Sequence, residues 1–264
     1  MGYYANPPRS KKTLLKQQIK YMLSQTLGML INMAIPFEEP LILNYHGICL
    51  NEENPRDIND VRYKDFTVQI KLLQALGYKF LSLTEFSEAY KESRLTPAAC
   101  MITFDDVPRS FIKAAEYLSR DNIPFVVFVC VAHANSDNGN WCRWDDLRKV
   151  ASFSKAEFGS HSVYHRRLSK VNLEDASKEI EESFHIIFGE LDNFVRAFAF
   201  PYGAFSLNLL EELNKIDVFP IFLTDTLLRH KTLKKYGAFR RIPIGLYDSE
   251  KIFLSKIKGR ERFL

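Results

Sequence analysis

The chain has 264 residues, of which 46% are hydrophobic, so it can bury a sizeable core and lacks the composition of a disordered protein. Its formal net charge of +4 is unevenly placed: five basic residues and no acidic one precede Glu38, which leaves 4 − 5 = −1 for the remainder. A basic patch confined to one end argues against a broad nucleic-acid surface, and we expect no nucleic-acid partner.

Residues 11–35 form the first segment with helical periodicity, in which Leu15, Ile19, Leu27 and Leu30 recur at helical spacing. The segment is too polar and too short to predict a transmembrane span, and no small-residue cleavage site marks it as a signal peptide. Two interpretations stay open: a helix packed on the body of the protein, or a basic amphipathic helix lying on a membrane surface. We therefore predict an N-terminal helical segment at 1–37 and one domain at 38–264.

Four cysteines, Cys49, Cys100, Cys130 and Cys142, show no C-x-x-C spacing that would indicate a zinc knuckle. Cys100 and Cys130 lie in apolar runs, where a free thiol behaves as a small hydrophobe. We predict that all four are reduced, although their even number leaves disulfides open. Reduced thiols favour the cytoplasm, with peripheral contact at the inner face of the membrane if residues 11–35 bind there.

Beyond residue 36, apolar runs alternate with helical patterns almost to the end of the chain. Strands are predicted at 41–46, 100–104, 125–131, 156–159, 196–200, 218–224 and 239–242, and helices at 61–76, 110–120, 144–150, 172–188, 206–215 and 249–256, with a further short helix opening at Thr84 and Glu85. Asn172 is predicted to cap the longest helix and Gly189 to end it. This alternation predicts an α/β fold whose parallel sheet closes, or nearly closes, into a barrel.

Polar residues follow several of these runs, and in such a barrel they gather at one rim. Asp105 and Asp106 follow the second run, His161 and His165 the fourth, Tyr202 the fifth and His46 the first. Adjacent aspartates at a strand end point in different directions, so one can bind a metal ion while the other faces the substrate. The spacing of the two histidines predicts that they share one side of a helical turn.

Each pair taken alone has an ordinary explanation, because Asp-Asp is common in helix caps and turns and His-x-x-x-His is common on helix surfaces. Together at strand ends they predict a catalytic metal site, since two imidazoles and one carboxylate leave coordination positions open. A divalent ion there would polarise a carbonyl group and lower the pKa of a bound water.

Three segments also carry a resemblance: Thr103-Phe-Asp-Asp106, His161-Ser-Val-Tyr-His165 and Phe200-Pro-Tyr-Gly203. In this order they resemble sequence motifs of the polysaccharide deacetylase family, the group with the NodB-homology domain, also called carbohydrate esterase family four. The resemblance covers nearly all of the chain beyond the N-terminal segment. The late Arg-Ile-Pro at Arg241 resembles the subgroup that acts on bacterial surface polysaccharides.

The resemblance implies a deformed (β/α) barrel of about seven strands and a metal-dependent deacetylase that acts on an N-acetylated sugar of a cell-surface polysaccharide or its lipid-linked precursor. It implies Asp105 as general base and zinc as the likeliest metal, held by Asp106, His161 and His165. The backbone N–H of Tyr202 would help to hold the oxyanion. The alternative is a binding protein that keeps the fold without turnover.

Several departures from the family pattern bear on these roles. Val107 stands where the family often has Gly, Ala199 stands where an Arg usually steadies the base, and the fourth motif with its Trp is not found. The resemblance implies two candidates for the general acid: Leu228-Arg-His230 matches the family's Leu-x-His motif, and Tyr45-His46-Gly47 resembles the strand-end element that takes the acid's place in the subgroup. We favour His46 over His230, because reach to the leaving group matters more than matching letters.

Four further side chains have less definite interpretations. Trp141 and Trp144 could form a sugar-stacking platform, and Trp144 could equally pack inside. His133 and His185 are predicted to be structural, since one follows a strand and the other lies within a helix.

Overall fold

The computed structural model describes residues 39–50, 57–224, 228 and 230–258. The predicted N-terminal segment at 1–37 lies outside these residues, so its boundary, its contact with a membrane and the cytoplasmic location all stay predictions. Within the described residues, no helix has both the length and the apolar character needed to cross a membrane.

Seven parallel strands close into a barrel. The described residues form ten strands in all: β1 (Leu41–Tyr45), β2 (Ile48–Cys49), β3 (Val61–Arg62), β4 (Lys79–Phe80), β5 (Ala99–Asp105), β6 (Phe125–Val129), β7 (Ala156–Ser160), β8 (Phe194–Ala199), β9 (Ile221–Thr224) and β10 (Ala238–Pro243). Strand β1 pairs with β5, β5 to β10 pair in chain order, and β10 returns to β1. Strand β4 extends the beginning of β5, and β2 pairs with β3 separately. The predicted barrel of about seven strands is confirmed.

Helices cover the outside of the barrel. Those described are α1 (Tyr63–Ala75), α2 (Leu83–Lys91), α3 (Ile112–Arg120), α4 (Val131–Ala134), α5 (Trp144–Ala151), α6 (Leu173–Glu190), α7 (Leu207–Lys215), α8 (His230–Lys235) and α9 (Glu250–Lys258). Local signals start several of them: Ser82 and Glu85 form a capping box on α2, and Asn172 caps α6 as predicted. Gly189 does not end α6, which continues to Glu190, so that prediction is wrong.

Large apolar side chains fill the inside of the barrel. Phe128, Phe222 and Met101 are fully buried there together with small residues such as Ala197. Because the lumen is a packed core, chemistry is left to the carboxyl ends of the strands, where polar side chains replace apolar ones. All four cysteines are buried thiols outside any disulfide, as predicted.

Two glycines give a matched test of this backbone. Gly203 has a φ of +60°, and a Cβ there would lie 2.4 Å from the carbonyl oxygen of Thr224. Gly189 lies within α6, and a Cβ there would meet no atom within 4 Å. We expect Gly203→Ala to lower the free energy of unfolding by more than about 1 kcal/mol, because the substitution is incompatible with the local conformation. Gly189→Ala should raise it by roughly 0.5 kcal/mol, since alanine favours a helix. Urea denaturation of both variants measures the difference, and an unaffected Gly203→Ala variant would contradict the described turn.

Candidate active site

Asp106, His161 and His165 meet at the carboxyl ends of the barrel strands, with their ligand atoms within 4.8 Å of one another. Asp106 directly follows β5, and His161 directly follows β7. Oδ1 of Asp106 lies 2.9 Å from Nε2 of His165 and 3.6 Å from Nε2 of His161. These three side chains, predicted as metal ligands, are therefore brought together by the fold.

The two histidines do not share a helical turn, and that part of the prediction is wrong. The residues between them form an irregular loop in which Ser162 has a φ of +69° and His165 a φ of +54°. The N–H of His161 extends the pairing of β7 by donating to the carbonyl oxygen of Val129 at 2.8 Å. The Ser162 hydroxyl then accepts from the N–H of His165 at 3.1 Å. The left-handed backbone conformations of Ser162 and His165 thus bring His165 back toward His161 without a helix.

The tautomer of His161 supports a cation at this position. Its Nδ1 lies 2.8 Å from the carbonyl oxygen of Ala199, and a carbonyl can only accept, so Nδ1 carries the proton. Burial lowers the pKa of His161 to about 4, which leaves the ring neutral. Its Nε2 lone pair therefore faces Asp106 and also Asp105, whose Oδ2 is 3.8 Å away. A lone pair that faces carboxylates fits a metal ion between them.

Asp106 is electrostatically prepared to remain an anion. Burial alone would raise its pKa, but His165 and, more weakly, His161 and His46 lower it well below the ordinary value of 3.8. Burial likewise disfavours a charged His165, while Asp106 raises the pKa of His165 overall. Oδ1 of Asp106 is buried and accepts no well-aligned hydrogen bond despite its short contact with His165. This donor set of one carboxylate and two imidazoles suits zinc and several other divalent ions.

Asp105 points instead into the barrel, where Arg241 of β10 binds it with two hydrogen bonds. Nη1 donates to Oδ1 at 2.7 Å and Nη2 donates to Oδ2 at 2.6 Å. Nη1 also donates to the Thr103 hydroxyl at 3.1 Å, which in turn donates to the carbonyl oxygen of Leu43 at 2.8 Å. Arg241 thereby supplies the guanidinium that the sequence appeared to lack when Ala199 replaced the expected arginine.

The ion pair decides the charge of Asp105. Burial raises its pKa, but Arg241, with a smaller contribution from His161, outweighs burial and holds the pKa below the ordinary value of 3.8. The sequence carried a signal for this partner, because Arg240 and Arg241 interrupt an otherwise apolar run. A charged side chain that faces the inside of a barrel requires an opposite charge.

His46 also lies at the site, directly after β1, with Nε2 4.0 Å from Oδ2 of Asp106. Its side chain keeps 21% of its surface exposed, so a substrate can reach it. His230 begins helix α8, and its side chain is not among those described. The structure therefore brings His46 beside the proposed ligands.

Tyr202 occupies a turn on the rim of the site. It has a φ of +58°, and 57% of its surface is exposed. Its hydroxyl lies 3.2 Å from Nδ1 of His165, and the guanidinium of Arg167 lies 4.4 Å from the centre of its ring. The side chain therefore contacts a proposed ligand, in addition to the backbone role implied by the sequence resemblance.

Two side chains that the sequence analysis did not place beside the cluster, His133 and Trp141, lie next to it. Nδ1 of His133 lies 3.1 Å from the carbonyl oxygen of Asp106, and Trp141 stacks on the His133 ring with centroids 3.8 Å apart and planes 4° apart. Trp144 is partly buried against the core and donates from Nε1 to Asn135 at 2.7 Å. Trp144 is thus half-buried, with its ring against the core and its Nε1 near the surface.

The two residues that follow Asp105 both have left-handed backbone conformations, with φ of +65° at Asp106 and +50° at Val107. Glycine adopts this conformation without strain, which accounts for the glycine that the pattern resembled by this sequence often has at the position of Val107. A β-branched residue there carries a strain of order 1–3 kcal/mol. Val107 is fully buried, and its carbonyl oxygen accepts from the N–H of Cys142 at 2.9 Å, so packing and pairing compensate for the strain.

Comparisons with known proteins show which proteins this chain is similar to. The family model described as Polysaccharide deacetylase matches residues 93–220. Poly-beta-1,6-N-acetyl-D-glucosamine N-deacetylase of Staphylococcus aureus (strain MRSA252) is 26% identical over 198 residues, which cover 66% of this chain and 68% of that protein.

Two solved structures share the fold. Streptococcus pyogenes deacetylase PplD, in complex with acetate, superimposes with a TM-score of 0.71 at 20% identity, over 84% of this chain and 99% of that one. IcaB from Ammonifex degensii gives a TM-score of 0.69 at 16% identity, with the same coverage of 84% and 99%.

The ion pair between Asp105 and Arg241 gives a prediction with a defined pH dependence. Arg241→Met leaves a buried carboxylate without its partner, so we expect the free energy of unfolding at neutral pH to fall by roughly 3–5 kcal/mol. The native pair lowers the pKa of Asp105, so its stabilisation is complete above the unfolded pKa of about 3.9 and is lost as the pH falls below it. The deficit of the variant should therefore shrink in acid.

Chemical denaturation at several pH values measures this deficit. Arg240→Met is the matched control, because Arg240 precedes Arg241 on β10 and donates to the carbonyl oxygen of Leu228 rather than to Asp105. The double variant Asp105→Asn, Arg241→Met should recover part of the loss, since it removes both buried charges. A deficit that does not change with pH would contradict the assignment.

Proposed function

We propose that the chain is a member of the polysaccharide deacetylase family, whose model matches residues 93–220. We propose further that it is a metal-dependent enzyme that removes N-acetyl groups from a sugar of a cell-surface polysaccharide or its lipid-linked precursor. The observation that carries the proposal is the cluster of Asp106, His161 and His165 beside the buried pair of Asp105 and Arg241. The name of the Staphylococcus aureus relative supports N-acetylglucosamine as the sugar.

Asp106, His161 and His165 would hold the ion, for which zinc is our choice. When bound, a divalent ion supplies Lewis acidity, which withdraws electron density from water and from the acetyl carbonyl group. The neutral tautomer of His161 is set by its hydrogen bond to Ala199. Such outer hydrogen bonds orient a ligand and increase its basicity.

Asp105 would act as the general base. Arg241 keeps it ionised and fixes its carboxylate in one orientation. Its Oδ2, which lies 3.8 Å from Nε2 of His161, would accept the proton of the attacking water.

The developing oxyanion and the leaving group require two further donors. The backbone N–H of Tyr202 would donate to the oxyanion of the tetrahedral carbon, an interaction that strengthens in the transition state. His46 would then transfer a proton from Nε2, the atom that faces Asp106, to the departing amine nitrogen. The products would be acetate and a free amino sugar.

The alternative of an inactive carbohydrate-binding protein rested on two departures: the missing arginine at the position of Ala199 and the altered loop at Val107. In our proposal Arg241 takes the role of that arginine from another strand, which is supported by its hydrogen bonds to Asp105. The turn at Val107 still leaves Asp106 within 2.9 Å of His165.

Loss of one proposed ligand should remove both metal and activity. We expect the purified wild type to hold about one zinc ion per chain, and we expect His161→Ala to lose both the metal and the release of acetate, because one carboxylate and one imidazole are too few ligands. His185→Ala is the matched control, since His185 is exposed on α6. Elemental analysis and an acetate assay on β-1,6-linked N-acetylglucosamine oligomers measure both. Wild type that binds no zinc and releases no acetate would overturn the proposal.

Replacing each candidate acid by glutamine, in separate variants, shows which of the two histidines donates the proton. We expect His46→Gln to lower kcat for acetate release by roughly 10²–10⁴-fold, because the leaving amine then lacks a proton donor. His230→Gln should retain wild-type kcat. Both variants should keep wild-type zinc content, which shows that the effect is on proton transfer. The reverse pattern of kcat would assign the acid to His230 instead.

A further inference from the structure

Asp106, the proposed ligand, lies in a turn whose backbone conformation is rare for residues other than glycine. Its φ is +65°, and the next residue, Val107, has a φ of +50°. Two consecutive left-handed residues without glycine persist only where surrounding contacts enforce them. The direction of the Asp106 carboxylate depends on this backbone, because Cβ follows the local φ and ψ. The contacts that hold the turn are therefore part of the metal site.

One set of contacts comes from residues 140–142, here called the clasp segment, which runs antiparallel to residues 107–109. The N–H of Arg109 donates to the carbonyl oxygen of Asn140 at 2.8 Å, and the N–H of Cys142 donates to that of Val107 at 2.9 Å. Trp141 lies between these hydrogen bonds, paired with Pro108. The clasp segment holds the far side of the turn. Within the turn, the N–H of Val107 donates to the carbonyl oxygen of Asp105 at 2.8 Å, which leaves the carbonyl oxygen of Asp106 to another partner.

His133 is that partner. The carbonyl oxygen of Asp106 lies 3.1 Å from Nδ1 of His133 and can only accept, so Nδ1 carries the proton and donates it. The His133 ring has a fixed plane, because Trp141 of the clasp segment stacks on it almost in parallel, at 4° and 3.8 Å. A single side chain thus connects the backbone of the proposed ligand with the clasp segment.

We propose that His133 is a positioning residue for the metal site: its Nδ1–H fixes the peptide of Asp106, and Trp141 fixes His133. This inference rests on the proposed function, since it requires that Asp106 binds a metal ion. Outer hydrogen bonds to metal ligands typically contribute a factor of about 10–100 to metal affinity. His133 acts through the backbone of a ligand and need not touch the substrate.

The test compares two substitutions at His133 that distinguish the effect of the aromatic ring from the effect of the N–H donor. His133→Phe keeps an aromatic ring against Trp141 and removes the donor, whereas His133→Asn offers an amide N–H close to the position of Nδ1. We expect the Kd for zinc, measured by competition with a chromophoric chelator, to rise about tenfold or more in His133→Phe. In His133→Asn it should remain within about threefold of the wild-type value. His185→Phe, an exposed histidine on α6, should leave it unchanged.

A purely structural role predicts a different result. In that case, His133→Phe would lower the Tm of the metal-free protein while the zinc Kd stayed at the wild-type value, and this outcome would overturn the inference. His161→Ala keeps the proposed function separately testable. If His161→Ala loses zinc and His133→Phe binds it as tightly as wild type, only the positioning role fails. If the wild type itself binds no zinc, the proposed function fails with it.

Discussion

A buried carboxylate and a buried guanidinium inside the barrel form the interaction on which the site depends. Asp105 and Arg241 come from strands that both neighbour β1, and Thr103 links the pair to the backbone of β1 through Leu43. Either charge alone would be strongly unfavourable in this interior. The pair therefore fixes three strands relative to one another directly beneath the reacting groups.

Two adjacent aspartates reach opposite electrostatic environments through one local change of backbone. Asp105 is the last residue of an extended strand and points inward to a permanent cation. At Asp106 the chain becomes left-handed, and its carboxylate turns to neighbours that are histidines. The carboxylate of Asp105 is neutralised by a guanidinium of the protein itself. The carboxylate of Asp106 has imidazoles as neighbours, and these can bind a cation together with it. The same residue type thus serves two roles because its partners differ.

Much of the fold and of the site could be predicted, because the relevant signals are local. The apolar runs marked the barrel strands, and the polar residues directly after them marked Asp106, His161 and His46. The pairing of Arg241 with Asp105 joins positions 136 residues apart, and no short-range pattern contains it.

The remaining errors also have physical reasons. The turn that brings His165 to His161 depends on left-handed residues with no glycine to mark them. Gly189 remained inside α6 because neighbouring turns and tertiary packing outweigh its weak helix propensity. His133 follows a strand like many structural histidines, and its contact with Asp106 depends on how two loops meet.

The closure of the barrel limits how the protein can be divided into smaller parts. The segment that matches the family model, residues 93–220, contains Asp105, Asp106, His161 and His165. It excludes β1, which ends just before His46, and β10, which carries Arg241. Excising that segment would open the barrel at two edges and leave Asp105 without its counter-charge. A transplanted unit must therefore contain the whole barrel, from β1 to β10, if its site is to stay intact.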